Sequence, residues 1–281
     1  MAMTKFASKG HHRFLVVIAV LTLSSWVTLT LWSLSPYASS LSQTMMLPVP
    51  SAINEQMQHA MQFMPWMEMP QSGGAPQALP ILTVTFTAAW ILMVLGMMLP
   101  TIFPLLMESR KASTSGNQKQ GKRNTSVLLG GFLSIWIVLG FVVFFARDGL
   151  EWLTVHVPSL LQDPFIVPAV AIGACGLYQF TGLKSKSLAK CRLSSRSECF
   201  ACATPGESFA FGLRHGIYSI GSCGALMLLM FAANLGSVPW MAVFTGLMLV
   251  ERYAPATNAL SKGLGLGLTG AAFVYGVFFL L

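Results

Sequence analysis

Charged side chains are scarce in this chain of 281 residues: aspartate, glutamate, lysine and arginine make up 9% of it, against 54% hydrophobic residues. A typical soluble domain has about a quarter of its residues charged, which covers its surface with polar groups. This composition therefore excludes an ordinary soluble domain. It predicts that lipid, rather than water, surrounds most of the chain.

The usual sequence signatures of catalysis are also missing. The chain has no His-Glu-x-x-His run, no Gly-x-Ser-x-Gly elbow and no phosphate-binding glycine loop, and the glycine run Gly263–Gly267 follows no predicted strand. The last apolar segment carries no lysine for a retinal Schiff base. Buried acidic residues of the kind that ion-coupled transporters use are few, since Glu108, Asp148 and Glu251 lie at the ends of apolar segments. We therefore expect a protein that is not an enzyme.

Long apolar runs dominate what is present. A membrane-spanning helix needs about 20 mostly apolar residues. The segments that qualify or nearly qualify are residues 14–34, 81–106, 127–146, 165–183, 216–235, 238–250 and 264–281. The sequence predicts an all-α, polytopic membrane helix bundle with about seven transmembrane helices, in a single domain over residues 1–281. Because residues 238–250 are few, this span must borrow from the preceding turn or snorkel its charged end at Glu251 and Arg252 to the interface. Six spans are the alternative if residues 238–281 form one re-entrant unit.

Basic residues are unevenly distributed among the segments that join these spans. With the N-terminus in the cytoplasm, all of the 17 lysines and arginines except Arg147 fall on the cytoplasmic side, as the positive-inside rule requires. Many of them lie in two predicted basic cytoplasmic loops, residues 107–126 and 184–213. The net charge of +8 then follows from the topology and from anionic lipid headgroups. The lipid bilayer is thus the expected partner, and no nucleic acid is needed to explain the charge.

The predicted extracytoplasmic loop over residues 35–80 has no lysine or arginine and is rich in methionine. Beside His59 it holds Met45, Met46, Met57, Met61, Met64, Met67 and Met69. Thioether sulfur is a soft ligand that favours Cu(I), so this segment is suited to collect copper in an oxidising compartment. The spacing of Met57, Met61 and Met64 also fits an amphipathic helix that lies on the membrane surface. Both interpretations stay open.

Three cysteines lie in the second basic loop, at Cys191, Cys199 and Cys202. The Cys199-x-x-Cys202 spacing suits two thiolates on one ion. A closed structural zinc site needs four ligands, and His215 is the candidate for the fourth. A redox pair is a competing interpretation, although no thioredoxin-like pattern surrounds these residues. Loop cysteines without a chemical role are the third alternative.

The fifth predicted span brings polar and soft side chains into the membrane. One helical face carries His215, Ser219 and Ser222, and the adjoining stripe carries Cys223, Met227 and Met230. An ionisable residue at the mouth of a span is a functional candidate, yet a boundary histidine also snorkels or bonds a carbonyl. Glycines in the same span are expected to let neighbouring helices approach closely.

A second soft pair, Met97 and Met98, lies late in the second predicted span. Pro100 and Pro104 follow it and are expected to kink the helix. Each proline frees a backbone carbonyl, which a neighbouring group, water or an ion must then satisfy. Methionine in a packed helix is usually a space filler, so a ligand role for this pair competes with simple packing.

These segments resemble a bacterial family of predicted metal-binding integral membrane proteins, some of which are labelled copper chaperones. The resemblance covers about residues 85–255. It is carried by Met97 to Pro100, by Gly176 to Gln179 with Lys184 and Cys191-Arg192, by Gly212 to Tyr218 running on to Cys223 and Met227, and by Trp240 to Ala242 followed by Glu251. The resemblance implies a multi-pass protein of the bacterial cytoplasmic membrane that binds metal, with copper as the expected ion. The candidate ligands are Met97, Met98, His215, Cys223, Met227 and Cys191.

The chain departs from the family pattern at several positions. Cysteines usually stand where this chain has Ser187, Ser219 and Ser222, and a tryptophan usually stands at Gly224. Serine offers a hard hydroxyl in place of a thiolate, which removes most of the affinity for Cu(I) or Zn(II). We expect copper handling, or delivery of copper to a membrane protein partner. The alternative is a non-catalytic structural or assembly subunit of a membrane protein complex.

Overall fold

The computed structural model describes residues 2–35, 79–112, 118–156, 166–194, 204–232, 237–254 and 257–280. Every regular element in these ranges is helical. In chain order they are α1 (Ala2–Ser33), α2 (Leu79–Ala112), α3 (Gln118–His156), α4 (Ile166–Tyr178), α5 (Gly182–Ser194), α6 (Pro205–Ser219), a π-helical turn π1 (Ile220–Gly224), α7 (Ala225–Ala232), α8 (Val238–Tyr253) and α9 (Thr257–Leu280). The all-α prediction is confirmed for this part of the chain.

Helices of membrane-spanning length are fewer than the predicted seven. Those that are long and apolar enough to cross a bilayer cover Val16–Ser33, Thr83–Ser109, Gln120–Ala146 and Pro205–Ala232. The apolar helix Pro168–Tyr178 is shorter than a span requires. α8 has 16 residues and ends in charged side chains. Within the described ranges, four helices support membrane association, and a count of seven is not reached.

The predicted basic loops are largely helical. Residues 107–112 end α2 and residues 118–126 begin α3, while most of residues 184–213 belongs to α5 and α6. α6 begins at a capping box: Thr204 Oγ1 accepts from the Glu207 N–H, and Glu207 accepts from the Thr204 N–H. The sequence predicted only the side of the membrane for these segments, and the structure adds helix within them, because lysine, leucine and arginine are good helix formers whatever their charge.

α2 runs through Pro100 and Pro104 as a single helix. Because proline has no N–H, Pro100 leaves the carbonyl of Gly96 without its usual helical donor. The indole Nε1 of Trp26, on α1, donates to that oxygen at 3.3 Å. A neighbouring helix thus satisfies the freed carbonyl, which is one of the outcomes expected from the sequence. The same hydrogen bond ties α1 to α2.

Glycines bring α3 and α6 into backbone contact. A Cβ atom on Gly131 would lie 2.4 Å from the carbonyl oxygen of Phe209, and one on Gly212 would lie 2.2 Å from that of Leu128. Any side chain at either position would force the helices apart. This close approach fixes the position of α6, and with it the start of π1, relative to α3.

One end of the helical bundle buries polar side chains. Its members come from widely separated parts of the chain: Gln179, Lys184, Ser187, His215, Ser219, Ser222, Glu251, Arg252 and Ser261. We call this group the polar cluster. Next to it lies the apolar core, in which α2, α3 and α7 supply most of the buried side chains. The candidate site lies where π1 brings these two regions together.

Candidate metal site

The π-helical turn π1 interrupts the regular helix between α6 and α7. It has the sequence Ile220-Gly221-Ser222-Cys223-Gly224 and thus contains three of the residues singled out above. The hydroxyl of Tyr178 donates to the carbonyl of Gly221 at 2.7 Å, so the end of α4 supports the turn. π-helical turns widen the hydrogen-bonded ring by one residue and are frequent at functional sites. They therefore change which side chains share a face.

Cys223 and Met98 form a buried pair of sulfur atoms. The thiol of Cys223 donates to the Ser219 carbonyl at 3.0 Å, and its Sγ lies 3.9 Å from Met98 Sδ on α2. Both side chains are buried. Two sulfur ligands of one tetrahedral ion, with metal–sulfur bonds of about 2.3 Å, lie about 3.8 Å apart. The two atoms therefore have a separation that one soft metal ion can bridge.

A second thiol, that of Cys191, contacts the serine that precedes Cys223. Cys191 on α5 is fully buried, and its Sγ lies 3.9 Å from the Oγ of Ser222, the residue before Cys223. Burial raises the pKa of the Cys191 thiol, while the charge of Arg252 and the contact with Ser222 act in the opposite direction. The thiol therefore keeps its proton at neutral pH. A metal ion that binds Cys191 must displace this proton.

His215 is bound by an arginine. Nη2 of Arg252, on α8, lies 2.6 Å from Nε2 of His215, and both side chains are buried. Because a guanidinium only donates, we infer that Nε2 is unprotonated and that Nδ1 carries the proton. Nδ1 is buried and has no hydrogen-bond partner among the described residues. In this arrangement neither ring nitrogen of His215 offers a free lone pair to a metal ion.

Lys184 and Glu251 form a buried ion pair inside the polar cluster. Lys184 Nζ lies 2.7 and 2.9 Å from the two carboxylate oxygens of Glu251, and it also donates to Gln179 Oε1. Ser261 Oγ donates to Glu251 Oε1 at 2.9 Å. The pair thus joins the start of α5 to the end of α8 and the start of α9. Removing one partner would leave a buried charge unpaired, which is strongly destabilising.

The charged end of α8 points into the protein. The sequence predicted that Glu251 and Arg252 snorkel to the membrane interface or that the span borrows from the preceding turn. Snorkelling is wrong, because Lys184 binds one of these side chains and His215 binds the other, and both are buried. The residues that carry the family resemblance include Lys184 and Glu251. Nothing in the sequence itself pairs them, since 67 positions separate them.

The structure brings some of the candidate ligands together. Cys223 contacts Met98, and Cys191 contacts Ser222, the residue next to Cys223; we call Met98, Cys191 and Cys223 the sulfur group. Met97 and Met227 are buried in the apolar core, where they fill space between helices. Cys199, Cys202 and the methionine-rich residues 35–80 lie outside the described residues.

Serines surround the sulfur group where the resembling family usually has cysteines. Ser219 Oγ lies 3.8 Å from the thiol of Cys223, and Ser222 Oγ lies 3.9 Å from the thiol of Cys191. The Oγ of Ser187 lies next to Gly221, the second residue of π1. Cysteines at all three positions would make this a dense thiolate site. This chain keeps two thiols and one thioether there.

The fold and the sulfur group define a class of protein: an all-α protein with helices of membrane-spanning length that buries soft sulfur atoms beside a polar cluster. Within the described ranges, no three histidine, cysteine or acidic side chains converge on a point suited to a metal ion, so an ion here depends on the thioether as well.

The chain belongs to the PpoB2 family, described as a copper chaperone family, whose model matches residues 87–275. No curated protein and no solved structure matches this chain. The resemblance read from the sequence is thereby confirmed, and the family label indicates copper handling.

Proposed function

We propose that the protein binds Cu(I) at the sulfur group and hands it to a protein partner in the bacterial cytoplasmic membrane. The observation that carries this proposal is the buried contact of 3.9 Å between Cys223 Sγ and Met98 Sδ. Thiolate and thioether sulfur favour Cu(I) over hard ions such as Mg²⁺ and Ca²⁺. The family label and the four membrane-length helices support the same proposal.

A site with few ligands suits a carrier that must release its cargo. The sulfur group offers two thiols and one thioether, and the hydroxyls of Ser219 and Ser222 stand where thiolates would hold the ion more tightly. A thiolate of an incoming partner can therefore bind the ion before any existing bond breaks. We propose transfer of copper by such ligand exchange, and a role that is not enzymatic.

We further propose a multi-pass arrangement with the N-terminus in the cytoplasm. This orientation puts the polar cluster near the cytoplasmic face, where the basic segments around α5 meet anionic lipid headgroups. It also puts the methionine-rich residues 35–80 outside the cytoplasm. Their thioethers are suited to collect copper there, ahead of the sulfur group.

Copper binding by the purified protein tests the proposal. The full chain in mild detergent, under anaerobic and reducing conditions, is titrated with Cu(I) against a chromogenic competitor. Cys223→Ser and Met98→Leu are each expected to weaken binding at least about tenfold, roughly 1.4 kcal/mol, because each removes a sulfur ligand. Cys175→Ser and Met93→Leu are matched controls, since these buried residues lie outside the sulfur group. Folded protein that binds no Cu(I) would contradict the proposal.

A non-catalytic structural or assembly subunit is the second candidate function. The serines at positions 219 and 222 favour it, because hydroxyls in place of thiolates reduce the affinity for soft metal ions. This function predicts a stable complex with other membrane proteins that survives mild solubilisation. Size-exclusion chromatography with light scattering measures this directly, and a monodisperse monomer would count against it.

A further inference from the structure

Helix α5 covers the turn π1. The Oγ of Ser187 lies next to Gly221, and the Sγ of Cys191 lies 3.9 Å from the Oγ of Ser222. Both of these α5 side chains are buried, and so is Cys223 on π1. The sulfur group is therefore enclosed in this structure. An ion can reach it only if one of the surrounding elements moves.

The opposite face of α5 is exposed. The side chain of Leu183 is 64% accessible, and those of Lys186 and Lys190 are exposed as well. A lysine ammonium group needs water or lipid headgroups around it rather than hydrocarbon. On this side of the protein, α5 is therefore a single layer of helix between π1 and an aqueous boundary.

The first turn of α5 is firmly fixed. Lys184 forms the buried ion pair with Glu251 and also donates to Gln179, and Ser261 donates to the same carboxylate. Separating such a pair would leave two buried charges without partners. This end of α5 is thus suited to act as a hinge.

The last turn of α5 is held by contacts nearer the surface. Nη2 of Arg192, which is half-buried, donates to the carbonyl of Ala254 at 2.9 Å. Nζ of Lys190 lies 4.8 Å from the centroid of the Tyr218 ring, in a cation–π contact. A hydrogen bond and an exposed cation–π contact are each much weaker than a buried ion pair. The end of α5 that carries Cys191 is therefore the end that releases more easily.

We propose that α5 is a hinged strap, fixed at Lys184, whose Arg192 end lifts to let copper enter and leave the sulfur group. The inference rests on the proposed function and adds how a buried carrier site exchanges its ion. When the strap closes, Cys191 returns to its place against Ser222. Because Arg192 and Lys190 hold the strap closed whether or not the ion is bound, they set the rate of exchange and leave the affinity unchanged.

Separate measurement of rates and affinity tests the strap. The full chain in mild detergent, under anaerobic and reducing conditions, is loaded with Cu(I), and release into excess chromogenic competitor is followed by stopped-flow absorbance. Arg192→Gln removes the charged donor to Ala254 and is expected to raise the loading and release rates alike, each about tenfold, with an unchanged dissociation constant. Lys190→Gln removes the contact with Tyr218 and is expected to raise both rates about twofold to fivefold. Lys186→Gln is the matched control, because it removes the same charge from the exposed face of the same helix.

Hydrogen exchange gives a second measurement, which the wild type alone provides. Backbone amides in residues 189–194 are expected to exchange faster than those in residues 209–216 of α6, which pack closely against α3. In Arg192→Gln, exchange in residues 189–194 is expected to accelerate by the same factor as copper release, since both depend on the same opening.

Three outcomes overturn the strap and leave the proposed function intact. The first is unchanged loading and release rates in folded Arg192→Gln and Lys190→Gln. The second is faster release at an unchanged loading rate, because the side chain would then stabilise the bound ion rather than the cover. The third is wild-type exchange in residues 189–194 as slow as in residues 209–216. A wild type that binds no Cu(I) would sink the proposed function itself.

Discussion

Ser222 holds a central place at the scale of single residues, between the two thiols of the sulfur group. Its hydroxyl donates to the Ser219 carbonyl at 2.9 Å and lies 3.9 Å from Cys191 Sγ. An oxygen at this position contributes little to the binding of a soft ion. Where the family it resembles usually has a cysteine, this chain therefore has a serine in the same place, and the serine oxygen is a harder ligand than a thiolate.

Ser222→Cys is expected to tighten Cu(I) binding about tenfold or more, because it adds a thiolate within reach of Cys191 and Cys223. Competition titration with a chromogenic Cu(I) ligand under reducing conditions measures the change. Ser208→Cys is the control. Ser208, on α6, is buried like Ser222, but its hydroxyl donates to the Thr204 carbonyl, and it lies outside the sulfur group. Equal affinities for Ser222→Cys and the wild type would show that the ion does not bind at π1.

Sequence reasoning identified the right residue types at this scale but not their partners. It marked Met98, Cys191 and Cys223 as soft ligands, and the structure brings these three together. It also marked His215, whose Nε2 is occupied by Arg252. A side chain's chemistry is visible in the sequence. Its neighbour is not, when the neighbour is 37 residues away as Arg252 is from His215.

At the scale of elements, the close contact between α3 and α6 positions the site. Gly131 and Gly212 bring the two backbones together, and α6 continues directly into π1. The glycines of the fifth predicted span were expected to serve helix packing, and Gly216 does so, since a Cβ there would lie 3.0 Å from Ile135 Cβ. The π-helical turn had no counterpart in the prediction, because a regular period of 3.6 residues was assumed throughout.

Gly131→Ala is expected to destabilise the protein by about 1–3 kcal/mol, because the new methyl group meets the Phe209 carbonyl and the helices must separate. Gly130→Ala is the matched control on the same helix. A Cβ there meets nothing within 4 Å, and alanine gains roughly 0.5–1 kcal/mol of helix propensity. Thermal unfolding in detergent, followed by fluorescence-detected size exclusion, compares the two. Equal melting temperatures would contradict this account of the α3–α6 contact.

At the scale of the whole molecule, the lengths of the apolar helices and the positions of the charged side chains determine which helices can lie in a membrane. Four helices among the described residues have the length and hydropathy to span a bilayer. Lys184 of α5 and Glu251 of α8 turn inward, to one another, rather than out to lipid. Short helices such as α4 and α5 are therefore held by polar contacts at one end of the bundle, so membrane-spanning length is not needed at that end.

The proposed topology predicts the side of the membrane for each reporter fusion. Fusions within residues 113–117 are expected to give fluorescent cytoplasmic protein, and fusions within residues 157–165 are expected to give active periplasmic phosphatase. With seven spans, a fusion after residue 281 gives phosphatase activity. Fluorescence at that end would instead support six spans, and phosphatase activity within residues 113–117 would reverse the whole orientation.

Composition and apolar length alone predicted that lipid surrounds most of this chain and determined that it is helical, and short motifs in the sequence showed which family it resembles. Each of these properties can be read from neighbouring residues in the chain, so no contact between distant segments is needed to predict it. The tertiary structure decided which groups meet: Cys223 with Met98 across 125 positions, Lys184 with Glu251, and Arg252 with His215. Such pairs depend on which helix faces pack together. That packing is set by contacts between distant segments, such as the backbone contact of α3 with α6, which no local pattern in the sequence records.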